Sequence, residues 1–245
     1  MEHNCRDYEK TKSDIENYGL TVIIVRGTDY LPSFAYSIGL WQKFKHPEVI
    51  CIGLNTKTLH TIINDVADLV KDGELIVAAV DYENIFDKLR ARFLDVNQGN
   101  FSGYFGTAID FYNSFQFPAL QLVWPDKHNI LPWEEDFEED LVFCQPLLDR
   151  NMKFKFMEAK NLGCFTTRQW LELNSSILRV IHDTNGDWQF LTGDQLQEDA
   201  RLVALEQLTL RDLRLNEVFD LDYGEEAHRE FIGDPWTRRK VVDQE

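Results

Sequence analysis

No stretch of this 245-residue chain approaches the roughly 18 to 20 consecutive apolar residues that a membrane-crossing helix requires. Its first residues, MEHNCRDYEKTKSD, lack the apolar core of a secretory signal, so a cytoplasmic protein without a membrane partner is expected. Cysteine is sparse. Cys5, Cys51, Cys144 and Cys164 stand far apart with no CxxC pair to seed a zinc site, and Cys51, inside the apolar run VICIGL, reads as a buried structural thiol. Basic charge is also short: 25 Lys and Arg against 42 Asp and Glu leave a net charge of −17, a field that disfavours nucleic acid and anionic membranes. The imbalance is not a tail effect, because residues 1–147 carry 12 basic and 23 acidic groups and residues 148–245 carry 13 and 19. Such acidity suits plain solubility first, and the sharper reading is electrostatic steering of a basic protein partner.

Catalytic signatures are missing as well. No GxSxG follows a strand, no acidic residue is spaced to fix His46 or His60 into a triad, and no phosphate-binding glycine motif is present. The loop DTNGD lacks the further ligands and the terminal bidentate Glu of a calcium loop. No catalytic and no metal-ligating residues are therefore assigned.

What the chain does hold is apolar and aromatic content, 44% and 13%, enough for a folded protein with one large core or two modest ones. Two tryptophan-centred segments stand out, FPALQLVWPDKHNILPW from Phe117 to Trp133 and HDTNGDWQFLTG from His182 to Gly193. Each joins a short apolar strand to a tight turn. In the first half, a helix is expected over Tyr8 to Tyr18, followed by strands over Leu20 to Val25, Phe34 to Leu40 and Glu48 to Leu54. The segment QKFKHP between the last two reads as a basic loop. Asn55 caps the principal helix, Thr56 to Lys71, whose Leu59, Ile62, Ile63, Val66, Leu69 and Val70 form one apolar side. Further strands are expected over Leu75 to Val80, Arg90 to Val96 and Phe117 to Val123.

Residues 148–165 lack a firm period and read as a connection, with Met152 to Met157 as a candidate strand. In the last part, a helix is expected over Thr167 to Leu173, strands over Ile177 to His182, Trp188 to Leu191 and Arg201 to Leu205, and short helices over Thr209 to Asn216 and Glu225 to Phe231. The turn NGD at Asn185 to Asp187 is the strongest hairpin signal. The expected class is α+β: a mixed, largely antiparallel β-barrel or sheet with one principal helix over residues 1–147, then a small α+β module over residues 166–245.

FAYSIGL at Phe34 to Leu40, HPEVICIGL at His46 to Leu54, FPALQLVWPD at Phe117 to Asp126 and LPW at Leu131 to Trp133 fall in the order that identifies the first module as resembling the domain of unknown function 4262 family. That family label implies no reaction. The element order is also similar to the split barrel of flavin reductases, a likeness of fold that assigns no activity by itself. If it extended to a site, FMN would be the cofactor and Ser37, Lys43, Lys45 and His46 the residues to hold its phosphate. The last module supplies Gly186, Asp187, Trp188, Phe190, Gly193, Asp194, Asp212, Leu213 and Trp236, and so resembles small immunity proteins related to domain of unknown function 2185. It lacks the acidic and tyrosine cluster that commonly follows the Gly-Asp pair in that group. This resemblance implies neutralisation of a secreted bacterial toxin by direct binding, with no cofactor.

A binding surface for a basic toxin would use the acidic run Glu134, Glu135, Asp136, Glu138, Glu139 and Asp140, with Trp133 and Trp188 as aromatic anchors if exposed. A solvated face and a pair of core tryptophans are the plain alternatives.

Overall fold

The structure, a computed structural model, describes residues 2–141, 143–148 and 154–241, with the side chains of the first helix described from Tyr8 onward. The side chain of Cys5 and the first two residues of the candidate strand Met152 to Met157 lie outside this set. Among the described residues no helix is long and apolar enough to cross a membrane. The chain forms two compact units, Met1–Asn151 and Met152–Glu245.

The first unit runs α1 (Glu2–Tyr18), β1 (Thr21–Val25), β2 (Phe34–Ile38), α2 (Leu40–Phe44), β3 (Glu48–Ile52), α3 (Thr56–Lys71), β4 (Asp81–Tyr82), β5 (Ala91–Asp95), α4 (Phe101–Tyr104), α5 (Gly106–Tyr112) and β6 (Ala119–Val123). Its sheet has the order β1-β2-β3-β6-β5-β4, with β3 and β6 parallel and every other pair antiparallel. The sheet is open, with β1 and β4 at its edges, so the barrel alternative falls and the sheet alternative stands.

Strands β2, β3 and β6 are buried along their whole length, as strands with both faces covered must be. Helix α3 covers one face. Asn55 starts it by accepting a hydrogen bond from the Thr58 N–H at 3.0 Å, and Leu59, Ile62, Ile63, Val66, Ala67 and Val70 pack with Ala35, Val49, Cys51, Leu120 and Leu122. Alternation along β2 sends Phe34 and Tyr36 to the other face, where their rings meet Tyr104 and Phe105 of the α4 and α5 region at 5.2 and 5.1 Å. After β3 the chain turns at Gly53, where φ is +91° and a Cβ would stand 2.1 Å from the Cys144 carbonyl oxygen, so only glycine fits.

Two expectations fail in this unit. Leu75 to Val80 is not a strand: Leu75 and Val77 are exposed and Ala79 takes a φ of +64°, which breaks any pleat. Leu40 leaves the expected second strand to begin α2, which reaches into the segment read as a loop.

The second unit contains β7 (Gly163–Thr167), α6 (Arg168–Leu173), β8 (Arg179–His182), β9 (Trp188–Leu191), β10 (Ala200–Ala204), α7 (Leu205–Arg211), a 3-10 turn (Leu213–Val218), β11 (Glu225–His228) and β12 (Thr237–Lys240). Sheet order is β10-β7-β9-β8-β11-β12, with β7 and β9 its parallel pair. The NGD turn joins β8 to β9 as expected: Gly186 has a φ of +94°, and the Asp183 carboxylate accepts from the N–H groups of Asn185 and Asp187 at 2.8 and 3.0 Å. β7 begins inside the stretch read as connection, and Phe154 to Phe156 forms no strand. The expected helix over Glu225 to Phe231 is instead β11, paired to β8 on one side and β12 on the other.

One carboxylate ties the β10 end of this sheet to α6. Asp199 accepts from the Leu196 N–H at 2.9 Å, from Gln169 at 2.6 Å and from the Arg168 guanidinium at 2.9 Å, and these donors hold its pKa at about 2, below the ordinary 3.8. A depressed carboxylate contributes stability above its unfolded pKa and loses it as pH falls through the folded one. Asp199→Asn is therefore expected to flatten the acid-induced loss of stability between pH 3.8 and about 2, read by circular dichroism along an acid titration. An unchanged slope would remove Asp199 from this role.

Candidate functional site

The acidic segment is braced at its base. Asp126, buried after β6, accepts hydrogen bonds from the N–H groups of His128 at 2.8 Å, Ile130 at 3.0 Å and Glu138 at 3.1 Å. Desolvation works against the charge of Asp126, yet the three N–H donors outweigh it and hold the carboxyl below the ordinary range. Glu134 is committed inward: it accepts from the Leu131 N–H at 2.8 Å and pairs with Arg90. Glu138 pairs with Lys127 at 3.1 Å. What remains outward is Glu135, Asp136, Glu139 and Asp140, all exposed. Trp133 is half-buried beside them, with the Arg92 guanidinium 5.7 Å from its ring centre.

Trp188 does not belong with this surface. Its ring is 1% exposed, lies stacked 4.0 Å from His182, meets the edge of Phe156 at 5.0 Å, and donates its indole N–H to Glu158 at 2.8 Å. An anchor must be reachable, and this ring is core.

The four residues considered for a flavin phosphate are divided. Ser37 is buried, donates to Glu48 at 2.5 Å and accepts from the Val49 N–H at 2.9 Å, so its one O–H donor is already committed and none is left for a phosphate oxygen. His46 is 3% exposed; its Nδ1 sits 2.7 Å from the Pro47 carbonyl oxygen, and its Nε2 has no hydrogen-bond partner. Burial pushes its pKa down against the pull of the Pro47 backbone. Lys43 and Lys45 are exposed, one in the last turn of α2 and the other at its end.

Sequence reasoning passed over the most elaborate polar centre of the first unit. Glu48 opens β3 with no exposed surface, yet its carboxylate receives four donors. Ser37 donates to one oxygen; Tyr112, at 2.5 Å, and the N–H groups of Gly39 and Trp41, at 2.9 and 3.1 Å, donate to the other. Burial pushes the Glu48 pKa up while these donors pull it back, and burial with the Glu48 charge pushes the Tyr112 phenol up as well. The arrangement fastens the Gly39–Trp41 corner, β3 and α5 together. A lone carboxylate at the head of the apolar run EVICI is the signal that could have found it.

Cys51 is fully buried and burial pushes its thiol up to about 12, which makes it inert. Among the described residues no group of three or more His, Cys, Asp or Glu could hold a metal ion. Across residues 14–138 the chain matches the family model described as Domain of unknown function (DUF4262). No curated protein and no solved structure matches it.

Proposed function

The chain belongs to the DUF4262 family, and from that premise we propose that it is a non-enzymatic bacterial immunity-type protein that binds and neutralises a cognate basic toxin. The observation that carries this reading is the braced acidic segment. Four outward carboxylates, Glu135, Asp136, Glu139 and Asp140, stand on a frame fixed by Asp126 and by the Arg90–Glu134 pair. A surface that is already ordered loses little conformational freedom on docking, and carboxylates of one sign speed encounter with a basic partner. Half-buried Trp133 supplies apolar area beside the charges.

Co-expression with each adjacent reading frame tests the activity. Growth restored in the presence of one toxic neighbour supports it, and the absence of rescue from every neighbour sinks it. With that partner in hand, reversing Glu135, Asp136, Glu139 and Asp140 to lysine is expected to slow association about tenfold or more at low salt, with a far smaller effect at high salt. Stopped-flow mixing reads this directly; an association rate indifferent to the reversal would move the interface elsewhere.

A further inference from the structure

A half-open cleft of about 450 Å³ lies between α1, α2 and α5 of the first unit. Among the described residues its charged lining is Lys12, Lys43 and Lys45 against one carboxylate, Glu16, the opposite balance to a chain whose net charge is −17. Lysine ion pairs among the described residues belong to Lys71, Lys127 and Lys160; the three cleft lysines take part in none. Three lysines and one glutamate on one cleft leave it a local excess of positive charge, which favours an anion.

Two further features shape the cavity. Trp41 forms part of the wall, half-buried, and the Lys45 ammonium sits 5.7 Å from the centre of its ring. Lys45 holds a φ of +57° where α2 ends, a conformation that favours glycine or asparagine, so this position gives up local backbone preference and keeps a long cationic side chain. Tyr112 closes the floor, its hydroxyl directed to Glu48.

We propose that this cleft binds a small anion made of a planar aromatic ring and a phosphate, the chemistry shared by nucleoside monophosphates and flavin mononucleotide. The lysines receive the phosphate and the indole of Trp41 receives the ring. The volume falls within the roughly 300 to 1,000 Å³ of small-molecule pockets. Lys43 and Lys45 are shared with the flavin set expected from sequence, but Lys12 and Trp41 replace Ser37 and His46, which are buried. Residues 134–140 form no part of this lining, so the proposal stands apart from toxin binding.

Calorimetric titration of the full chain with AMP, with FMN and with inorganic phosphate tests it. At least one ring-bearing ligand is expected to bind tenfold or more tightly than inorganic phosphate; which one binds distinguishes a nucleotide site from a flavin site. Lys43→Glu with Lys45→Glu is expected to weaken that binding tenfold or more at an unchanged melting temperature. Lys12→Glu, on a different helix, gives an independent reading with a threefold or larger loss should the double variant fold poorly. No binding of AMP or FMN at millimolar concentration, phosphate binding as tight as theirs, or binding that survives both sets of reversals would each overturn the proposal.

Discussion

Replacing Glu48 with alanine is expected to lower the stability of the first unit by at least about 3 kcal/mol, because each buried donor left without an acceptor costs about 1 to 3 kcal/mol. Four donors converge on this carboxylate, buried ones from Ser37 and Gly39 and part-buried ones from Tyr112 and Trp41, and of these Gly39 has a second acceptor, the Tyr112 hydroxyl at 3.1 Å. Water entering the vacated space restores part of the loss, which keeps the figure near the lower bound. Glu48→Gln preserves the volume and one acceptor oxygen, so a smaller loss is expected. The two variants also differ from the parent in pH response. Burial sets the folded pKa of Glu48 above its ordinary 4.5; the pH-dependent part of its contribution is therefore full below that value and lost as pH rises through the folded pKa. Both variants should lack this component. Hydrogen exchange at the amides of β2, β3 and α2 assigns the effect to this unit, and protection equal to the parent in Glu48→Ala would show that the network is not structural.

Trp188→Ala is expected to be the most damaging single change in the second unit, at about 3 to 5 kcal/mol for truncating a buried tryptophan. The indole touches His182, Phe156 and Phe190, and its loss also leaves Glu158 without the donor to one oxygen when the other already has none. Native domains hold only about 5 to 15 kcal/mol in total, so a large share of this unit's margin is at stake. Trp188→Phe retains ring packing and isolates the hydrogen bond, with an expected cost of about 1 to 3 kcal/mol. Denaturant titration of the full chain, followed by exchange at β8 and β9, measures both. A near-parental midpoint for Trp188→Ala would mean that the core closes without its largest member.

Much of this architecture is legible in the amino-acid order. The Asn55 cap and the apolar side of α3, the strands at Thr21, Glu48 and Ala119, and the NGD hairpin follow from local chemistry that tertiary contacts reinforce. The errors have physical causes. Five-residue α2 is too short to show a helical period, and its start depends on Glu48 receiving the Gly39 and Trp41 amides. Glu225 to His228 carries helix-favouring residues, yet pairing on both sides, with Glu226 held by Arg179 and Arg239, draws it into the sheet.

The site was less legible than the fold. That Glu134 and Glu138 are spent on structure and their neighbours are not depends on Asp126, Arg90 and Lys127, which lie outside the run. Lys12 joins Lys43 and Lys45 only because α1 and α2 border one cleft, and no spacing within either helix announces that meeting.

The order β1-β2-β3-β6-β5-β4 also bears on how the first unit is made. Its interior strand β6 is the last of the six to be synthesised, and β3 and β5 both depend on it for their inner edges. Until Ala119–Val123 leaves the ribosome, the apolar segment EVICI has one unpaired edge and the growing sheet has a gap at its centre. A nascent chain arrested before β6 is thus a template for wrong pairing, and one arrested just beyond it can close, which places the hazard for aggregation in a narrow window of translation.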